Sequence, residues 1–134
     1  MWDNSYSVGV DLIDEQHKHF FGIANSAYEA AEGATVAPEK LLAIILELND
    51  YALYHLGTEE EYFKKFRYAG TTLHVQMHNI YRDQMQKYLG RMRDGNDTKE
   101  LVKEIALYSG NWLGSHIFVM DKQYAKSFRE HGLK

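Results

Sequence analysis

Cysteine is absent from this 134-residue chain. Without thiols, the protein cannot form a disulfide scaffold, a cysteine-ligated zinc site, an iron–sulfur cluster or a thiolate nucleophile. Any metal ion must therefore be bound through nitrogen and oxygen atoms. Proline occurs only once, at Pro38, so little in the sequence would interrupt helices.

Long apolar runs and an excess of positive charge are also lacking. The first five residues show neither the basic nor the apolar region of a signal peptide, so we expect none. The longest aliphatic run, from Leu41 to Leu46, is far shorter than the roughly 20 residues that cross a bilayer. The chain has 15 Lys and Arg against 19 Asp and Glu, so its net charge of -4 leaves no basic surplus for binding phosphates. We therefore expect a cytoplasmic protein that binds neither membranes nor nucleic acid.

The composition is that of one soluble globular domain, which we expect to span residues 1–134. Hydrophobic residues make up 45% of the chain and charged residues 25%. Apolar residues recur at alternating steps of three and four in four segments, which is typical of amphipathic helices. The four stripes are Ile13, His17, Phe20, Ala24, Ala27 and Ala31; Leu41, Ile45, Leu48, Ala52, His55, Glu59, Tyr62 and Phe66; His74, His78, Tyr81, Met85, Tyr88 and Met92; and Leu101, Ile105, Tyr108, Trp112, His116 and Val119.

Turn and capping signals separate these stripes. Gly33 is suited to ending the first helix and Pro38 to opening the second, while Asp97 and Glu100 resemble a capping box for a fourth helix that continues to about Arg129. No strand alternation competes, and the connections are short, so consecutive helices should be antiparallel neighbours. The predicted fold is all-α, an up-down-up-down four-helix bundle with a metal site in its core.

Polar residues at core-facing positions are the evidence for that metal site. They are His17, His55, Glu59, His74, His78 and His116, with Asp121 close behind. One buried histidine is usually a hydrogen-bonded core residue, but each unpaired buried polar group costs about 1–3 kcal/mol. Seven would cost roughly 7–21 kcal/mol, against a typical total stability of about 5–15 kcal/mol. A metal removes this cost because the lone pairs become ligands.

The spacing of these residues is compatible with shared ligation. Two pairs are four residues apart, His55 with Glu59 and His74 with His78. Residues four apart are separated by only about 40° around a helix, so both members of each pair can reach one site. His116 and Asp121 are five apart, about 140° around a helix, and are expected to approach a centre from opposite flanks. That separation suits a ligand and a bridge better than two ligands of one ion.

The number and type of these groups indicate two metal ions. Five histidines and two carboxylates exceed the four ligands of a tetrahedral zinc site. The set also differs from that of the oxygen-activating di-iron carboxylate proteins, because the sequence contains no Glu-x-x-His motif. Ligation rich in imidazole gives little anionic support to oxidation states above ferric.

Taken in order, these motifs resemble those of one family. They are Ile13-Asp14-Glu15-Gln16-His17-Lys18, His55 with Glu59-Glu60, His74-x-x-x-His78, and Trp112-Leu113 with His116-Ile117 and Asp121-Lys122. From Trp2 to about Tyr124, the chain resembles the hemerythrins, in particular the single-domain bacteriohemerythrins. It departs from their pattern at Leu56, where Phe is usual, at Phe63, where Met is common, and at Tyr68-Ala69, which lacks a frequent proline.

The resemblance implies a non-haem di-iron centre bridged by oxide or hydroxide. By this analogy His74, His78 and His116 hold one iron, His17 and His55 hold the other, and Glu59 and Asp121 bridge them. The second iron is one ligand short, and in this family the open position takes dioxygen reversibly. The expected function is therefore oxygen carriage, storage or delivery, not enzymatic. The alternative is a di-iron enzyme or sensor acting on peroxide or nitric oxide, with an unknown electron donor or other partner protein.

Reversible oxygen binding requires apolar walls that keep water and protons from the open position. The candidates, chosen by their proximity in sequence to the metal-binding residues, are Phe20, Leu56, Leu113 and Ile117. Other polar residues leave the stripes and are expected to be solvated bystanders. They are His19, His131, Glu60 and Glu61.

Overall fold

The computed structural model describes residues 2–33, 37–95 and 98–134. The helices are α1 (Asp11–Glu32), α2 (Pro38–Phe66), α3 (Thr71–Asp94), α4 (Thr98–His116) and α5 (Lys122–Glu130). A 3-10 turn at Asn4–Tyr6 precedes α1, and a π-helical segment at Ile117–Asp121 joins α4 to α5. The described residues contain no strand, which confirms the predicted all-α class.

The four predicted stripes correspond to the four long helices of a bundle. α1 packs against α2 and α4, and α3 packs against α2 and α4. The predicted start of the second helix is confirmed, because Pro38 is the first residue of α2. The predicted capping box involves Asp97, which lies outside the described residues. No helix of the described ranges is both long and apolar enough to cross a bilayer.

The stripes of α1 and α3 are buried at every predicted position. The fourth stripe fails at Val119, which is 61% exposed, whereas Met120 and Asp121 are buried. Its failure follows from the π-helical segment, whose i→i+5 hydrogen bonds widen the turn by about one residue. The fourth helical stretch does continue to about Arg129, since α5 ends at Glu130, but its buried face shifts in register after His116.

The interior of the bundle has two chemically different halves. One half, which we call the polar half, contains the seven predicted metal-binding residues: His17, His55, Glu59, His74, His78, His116 and Asp121. The other, which we call the apolar half, is lined by residues such as Ala27, Ile45, Met85 and Ile105. Because the chain direction alternates, the start of α1 and of α3 meets the later part of α2 and the end of α4 in the polar half.

Candidate metal centre

All seven predicted metal-binding side chains are buried in one place. Their exposed fraction is 0% for six of them and 5% for His116. α1 contributes His17, α2 contributes His55 and Glu59, α3 contributes His74 and His78, α4 contributes His116, and the π-helical segment contributes Asp121. Every wall of the bundle therefore supplies at least one nitrogen or oxygen donor.

The carboxylate of Asp121 lies between three helices. Its Oδ2 is 3.1 Å from Nε2 of His17. Its Oδ1 is 3.0 Å from Nε2 of His74 and 3.0 Å from Nε2 of His116. Asp121 thus contacts histidines of α1, α3 and α4 with its two oxygens.

Glu59 provides the second shared carboxylate. Its Oε1 is 3.4 Å from Nε2 of His55 on the same helix and 3.2 Å from Nε2 of His78 on α3. The other oxygen, Oε2, accepts a hydrogen bond from the hydroxyl of Tyr124. Glu59 is therefore held at one oxygen and faces the histidines with the other.

The donor atoms form two overlapping groups, each with its ligand atoms within 4.8 Å of one another. The first group is Glu59, His74, His78, His116 and Asp121, and the second is His17, His55, Glu59 and Asp121. Glu59 and Asp121 belong to both. This arrangement can hold two neighbouring cations with two carboxylates shared between them.

Several of the converging atoms have no hydrogen-bond partner among the described residues. They are Nε2 of His17, His55 and His78, Oε1 of Glu59, and both carboxylate oxygens of Asp121. Leaving each buried group unpaired would cost about 1–3 kcal/mol. Two ligands about 2.0–2.2 Å from one cation, set at right angles, are about 3 Å apart, which matches the nitrogen–oxygen spacing here. The residues present therefore fit metal ions bound by imidazole and carboxylate.

The π-helical segment explains how His116 and Asp121 meet. On a regular α-helix, residues five apart would lie about 140° apart, so we expected them on opposite flanks. A π turn contains more residues, which brings residues five apart onto nearly the same face. Their side chains are accordingly in contact, with Nε2 of His116 3.0 Å from Oδ1 of Asp121. The expectation of opposite flanks is wrong.

Two of the histidines are oriented by hydrogen bonds that their Nδ1 atoms make to neighbouring side chains. Nδ1 of His55 donates to Oε1 of Gln16 at 2.7 Å. Nδ1 of His78 donates to Oε2 of Glu60 at 2.7 Å. A proton on Nδ1 leaves the Nε2 lone pair free to bind a cation, which is the usual arrangement around metal-binding histidines.

Sequence reasoning missed these outer partners. We expected Glu60 to be solvated, but its side chain is only 25% exposed and contacts His78, so that expectation is wrong. Glu61, by contrast, is exposed as expected. A signal for Glu60 does exist in the sequence: Arg82 lies four residues after His78 on α3 and can reach the same carboxylate.

Tyr124 was also missed. Its ring is fully buried and stacks on Phe128, 4.1 Å between ring centroids, while its hydroxyl donates to Glu59. The pattern that could have indicated it is the three-residue step from Asp121, the last residue of the π-helical segment, to Tyr124 in α5.

Protonation within the cluster follows from burial and from the neighbouring charges. Burial lowers the pKa of His55 to about 4, which favours its neutral form. Burial also opposes charge on His78, but the neighbouring carboxylates of Glu59 and Glu60 outweigh it and raise its pKa to about 9. For Asp121, burial is outweighed by contacts led by His116, so its pKa lies well below the usual range. The carboxylate therefore stays anionic and available as a ligand.

Aromatic rings enclose the cluster. Trp112 stacks on His116 with ring centroids 4.4 Å apart and an interplanar angle of 14°. Phe63 lies 4.6 Å from His74, and Phe20 lies 6.1 Å from His55 in an edge-on arrangement. The four residues proposed from sequence as apolar walls, Phe20, Leu56, Leu113 and Ile117, are all fully buried.

The two histidines expected to be bystanders lie outside the cluster. His19 is exposed and packs against Tyr51, with ring centroids 4.3 Å apart. His131 is exposed and stacks on Phe66 at 4.5 Å. Neither belongs to either group of converging donor atoms.

The family model described as "Hemerythrin HHE cation binding domain" matches residues 8–127. The chain belongs to the hemerythrin family. This confirms the resemblance drawn from the motifs, and the matched range contains every donor atom of the buried cluster.

Similar proteins agree with this assignment. A bacteriohemerythrin of Clostridium acetobutylicum is 27% identical over 126 residues, which cover 92% of this chain and 97% of that protein. A hemerythrin-like protein of Naegleria gruberi is 29% identical over 123 residues, covering 92% of this chain and 88% of that protein. A solved wild-type hemerythrin superposes with a TM-score of 0.86 at 23% identity, covering 95% of each chain. The bundle thus has the hemerythrin fold.

Proposed function

We propose that this protein binds dioxygen reversibly at a non-haem di-iron centre and serves as an oxygen carrier, store or delivery protein. The observation that carries this proposal is the pair of overlapping donor groups, fully enclosed in the bundle, with unpaired lone pairs facing a common space. Membership of the hemerythrin family and similarity to proteins named bacteriohemerythrin support iron as the metal and dioxygen as the ligand.

In this proposal the two cation positions differ in their histidines. One is held by His74, His78 and His116, and the other by His17 and His55. Glu59 and Asp121 would be shared between the two positions. The iron pair supplies the reversible exchange of electrons with dioxygen, which amino-acid side chains cannot provide.

The position with fewer histidines is the natural place for a small ligand. It has two imidazole donors against three on the other side, so the protein offers it one ligand fewer. On this side the rings of Phe20 and His55 are nearly perpendicular, with centroids 6.1 Å apart and an interplanar angle of 82°.

The apolar residues have a protective role in this proposal. Phe20, Leu56, Leu113 and Ile117 are fully buried and would exclude water and protons from the bound oxygen. Exclusion of water and protons by these side chains would favour reversible release of the ligand.

Metal analysis and gas exchange test the proposal. We expect two irons per chain, and a spectrum of the reduced protein that changes with oxygen and returns when the gas is removed. One metal per chain, zinc retained in preference to iron, or continuous turnover of peroxide or nitric oxide with a reductant would contradict it. The last result would favour the enzyme reading.

A pair of variants separates ligands from bystanders. His74→Ala should lower iron occupancy or abolish the pair, because it removes a donor 3.0 Å from Asp121. His19→Ala is the matched control, since His19 is an exposed histidine outside the cluster. Loss of iron in the control with iron retained in His74→Ala would reverse the assignment.

Another pair of variants tests the apolar wall. Leu113→Asn or Ile117→Asn should accelerate decay of the oxygenated form to the ferric form without loss of iron. Leu107→Asn on α4 is the control, because Leu107 is 53% exposed. Stopped-flow spectra follow the decay, and an unchanged rate in both buried variants would remove these residues from the wall.

A further inference from the structure

The carboxylate of Glu60 joins the buried cluster to a surface arginine. Its Oε2 accepts from Nδ1 of His78 at 2.7 Å and from a guanidinium nitrogen of Arg82 at 2.7 Å. Its Oε1 accepts from the second terminal nitrogen of Arg82 at 3.0 Å. Arg82 is further tied to the side-chain oxygen of Asn79 at 3.0 Å. The carboxylate is therefore held on both of its oxygens.

We propose that Glu60, held in place by Arg82, is a positioning residue for the metal centre, keeping the His78 proton on Nδ1 so that Nε2 is the donor atom. This inference rests on the proposed function in one respect, namely that His78 binds a metal ion. It concerns side chains outside the set of seven donors.

The orientation of the imidazole supports this role. Nδ1 of His78 faces Glu60, while Nε2 faces Oε1 of Glu59 at 3.2 Å and has no hydrogen-bond partner among the described residues. A neutral imidazole carries one ring proton, so a strong acceptor at Nδ1 determines which nitrogen keeps its lone pair. Both oxygens of Glu60 accept hydrogen bonds from the guanidinium of Arg82, and this two-pronged contact favours the ionised carboxylate. The acceptor is thus an anion at neutral pH.

At the other cation position, the group that accepts the Nδ1 proton of the histidine is uncharged. His55 donates its Nδ1 proton to the neutral amide oxygen of Gln16, also at 2.7 Å. Hydrogen bonds to an ionised acceptor are roughly twice as strong as those between neutral groups. The position with three histidines therefore has an anionic outer partner on a donor histidine, and the position with two histidines has a neutral one at His55.

Arg82 restrains the orientation of the Glu60 carboxylate. A guanidinium bound to both oxygens of a carboxylate fixes its plane, which a lysine ammonium cannot do. Arg82 and Glu60 are each 25% exposed, so the pair sits at the edge of the buried cluster. Arg82 thereby limits rotation of Glu60 away from His78.

Zinc is the diamagnetic probe for the first experiment. Zinc affinity is measured by competition with a chelator, and the ring nitrogens of His78 are observed by NMR in the zinc-loaded protein. Glu60→Leu removes the acceptor and should weaken zinc binding about 10–100-fold, the usual effect of losing an outer partner. It should also remove the low-field Nδ1 proton signal. Glu60→Gln, which keeps a neutral acceptor of the same shape, should retain the signal and lose less affinity.

Two further variants control for structural effects. Glu61→Gln changes a neighbouring exposed carboxylate and should alter neither zinc affinity nor the His78 signal. Arg82→Lys keeps the charge but not the two-pronged contact, so its affinity should fall between those of the wild type and Glu60→Leu.

The iron-loaded protein provides a readout that simple unfolding would not produce. Removing a negative charge near the cluster disfavours the more positive ferric state, so Glu60→Gln should raise the midpoint potential while Glu61→Gln leaves it unchanged. A wild type that binds fewer than two metals would overturn the proposed function itself. A wild type with two metals, combined with Glu60→Leu of unchanged affinity and unchanged His78 signal, would overturn only the role of Glu60.

Discussion

The two halves of the bundle interior are built on the same helices and are equally buried, yet they are completed differently. In the apolar half, residues such as Ile45, Met85 and Ile105 gain their stabilisation from one another through close packing. In the polar half, buried atoms of His17, Glu59 and Asp121 lack partners among the described residues. The comparison teaches that an amphipathic pattern positions side chains, whereas their chemistry decides whether the protein alone can satisfy them.

Removing the metal should cause the largest loss of stability, and the cause lies in the polar half. The free energy of unfolding of the metal-free protein should be about 4 kcal/mol lower than that of protein measured with free metal at a concentration 1,000-fold above its Kd. The reason is that the unpaired polar atoms must then remain buried without ligands. Calorimetry with and without iron measures the difference, and equal melting temperatures would contradict it.

A cavity in the apolar half should destabilise the protein without touching the metals. Ile45 is fully buried, and Ile45→Ala should lower the free energy of unfolding by about 2–5 kcal/mol. Denaturant titration gives the stability and elemental analysis gives the metal count. Leu46→Ala is the control, because Leu46 is adjacent and 43% exposed. A loss of iron in Ile45→Ala would show that the halves are coupled.

Removing the hydroxyl of Tyr124 tests its hydrogen bond to the carboxylate of Glu59. Tyr124→Phe removes the donor to Oε2 of Glu59 and should cost the metal-free protein about 1–3 kcal/mol, since the buried oxygen loses its partner. Tyr54→Phe, at a tyrosine that is 60% exposed, should change stability by less than about 0.5 kcal/mol. Thermal unfolding of both variants makes the comparison, and equal effects would deny the hydrogen bond a role.

The smallest effect is expected from shortening the π-helical segment. Deleting Val119 would leave His116 and Asp121 four residues apart on a regular α-helix, about 40° around its axis, so both would still face the polar half. We expect two irons per chain to remain. Deleting the exposed Leu107 from α4 instead would turn His116 by about 100° relative to the preceding helix and should abolish metal binding. Loss of iron on deleting Val119 would show that the wide turn itself is required.

The patterns along the chain predicted most of the architecture correctly. Spacings of three and four correctly predicted that Ile13, Phe20 and Leu48 lie in the core. The preference of proline for the first turn of a helix correctly predicted Pro38 at the start of α2. The same spacing placed His55 with Glu59, and His74 with His78, on one face of their helices, because residues four apart share a helix face whatever the tertiary context. The donor roles of His17 and the others, the apolar walls and the boundary of the domain at residues 1–134 remain predictions.

Local periodicity was sufficient for four helices, most of their buried faces and the pairs of donors four residues apart on one helix, since these depend on steps of a few residues. Contacts between helices could not be read in this way. Glu60 meets His78 only because α2 packs beside α3, and Gln16 meets His55 only because α1 packs beside α2. The wide turn that brings Asp121 to His116 was also missed, because π turns are rare single-turn bulges inside α-helices and the periodicity of three and four assumes regular α-helix.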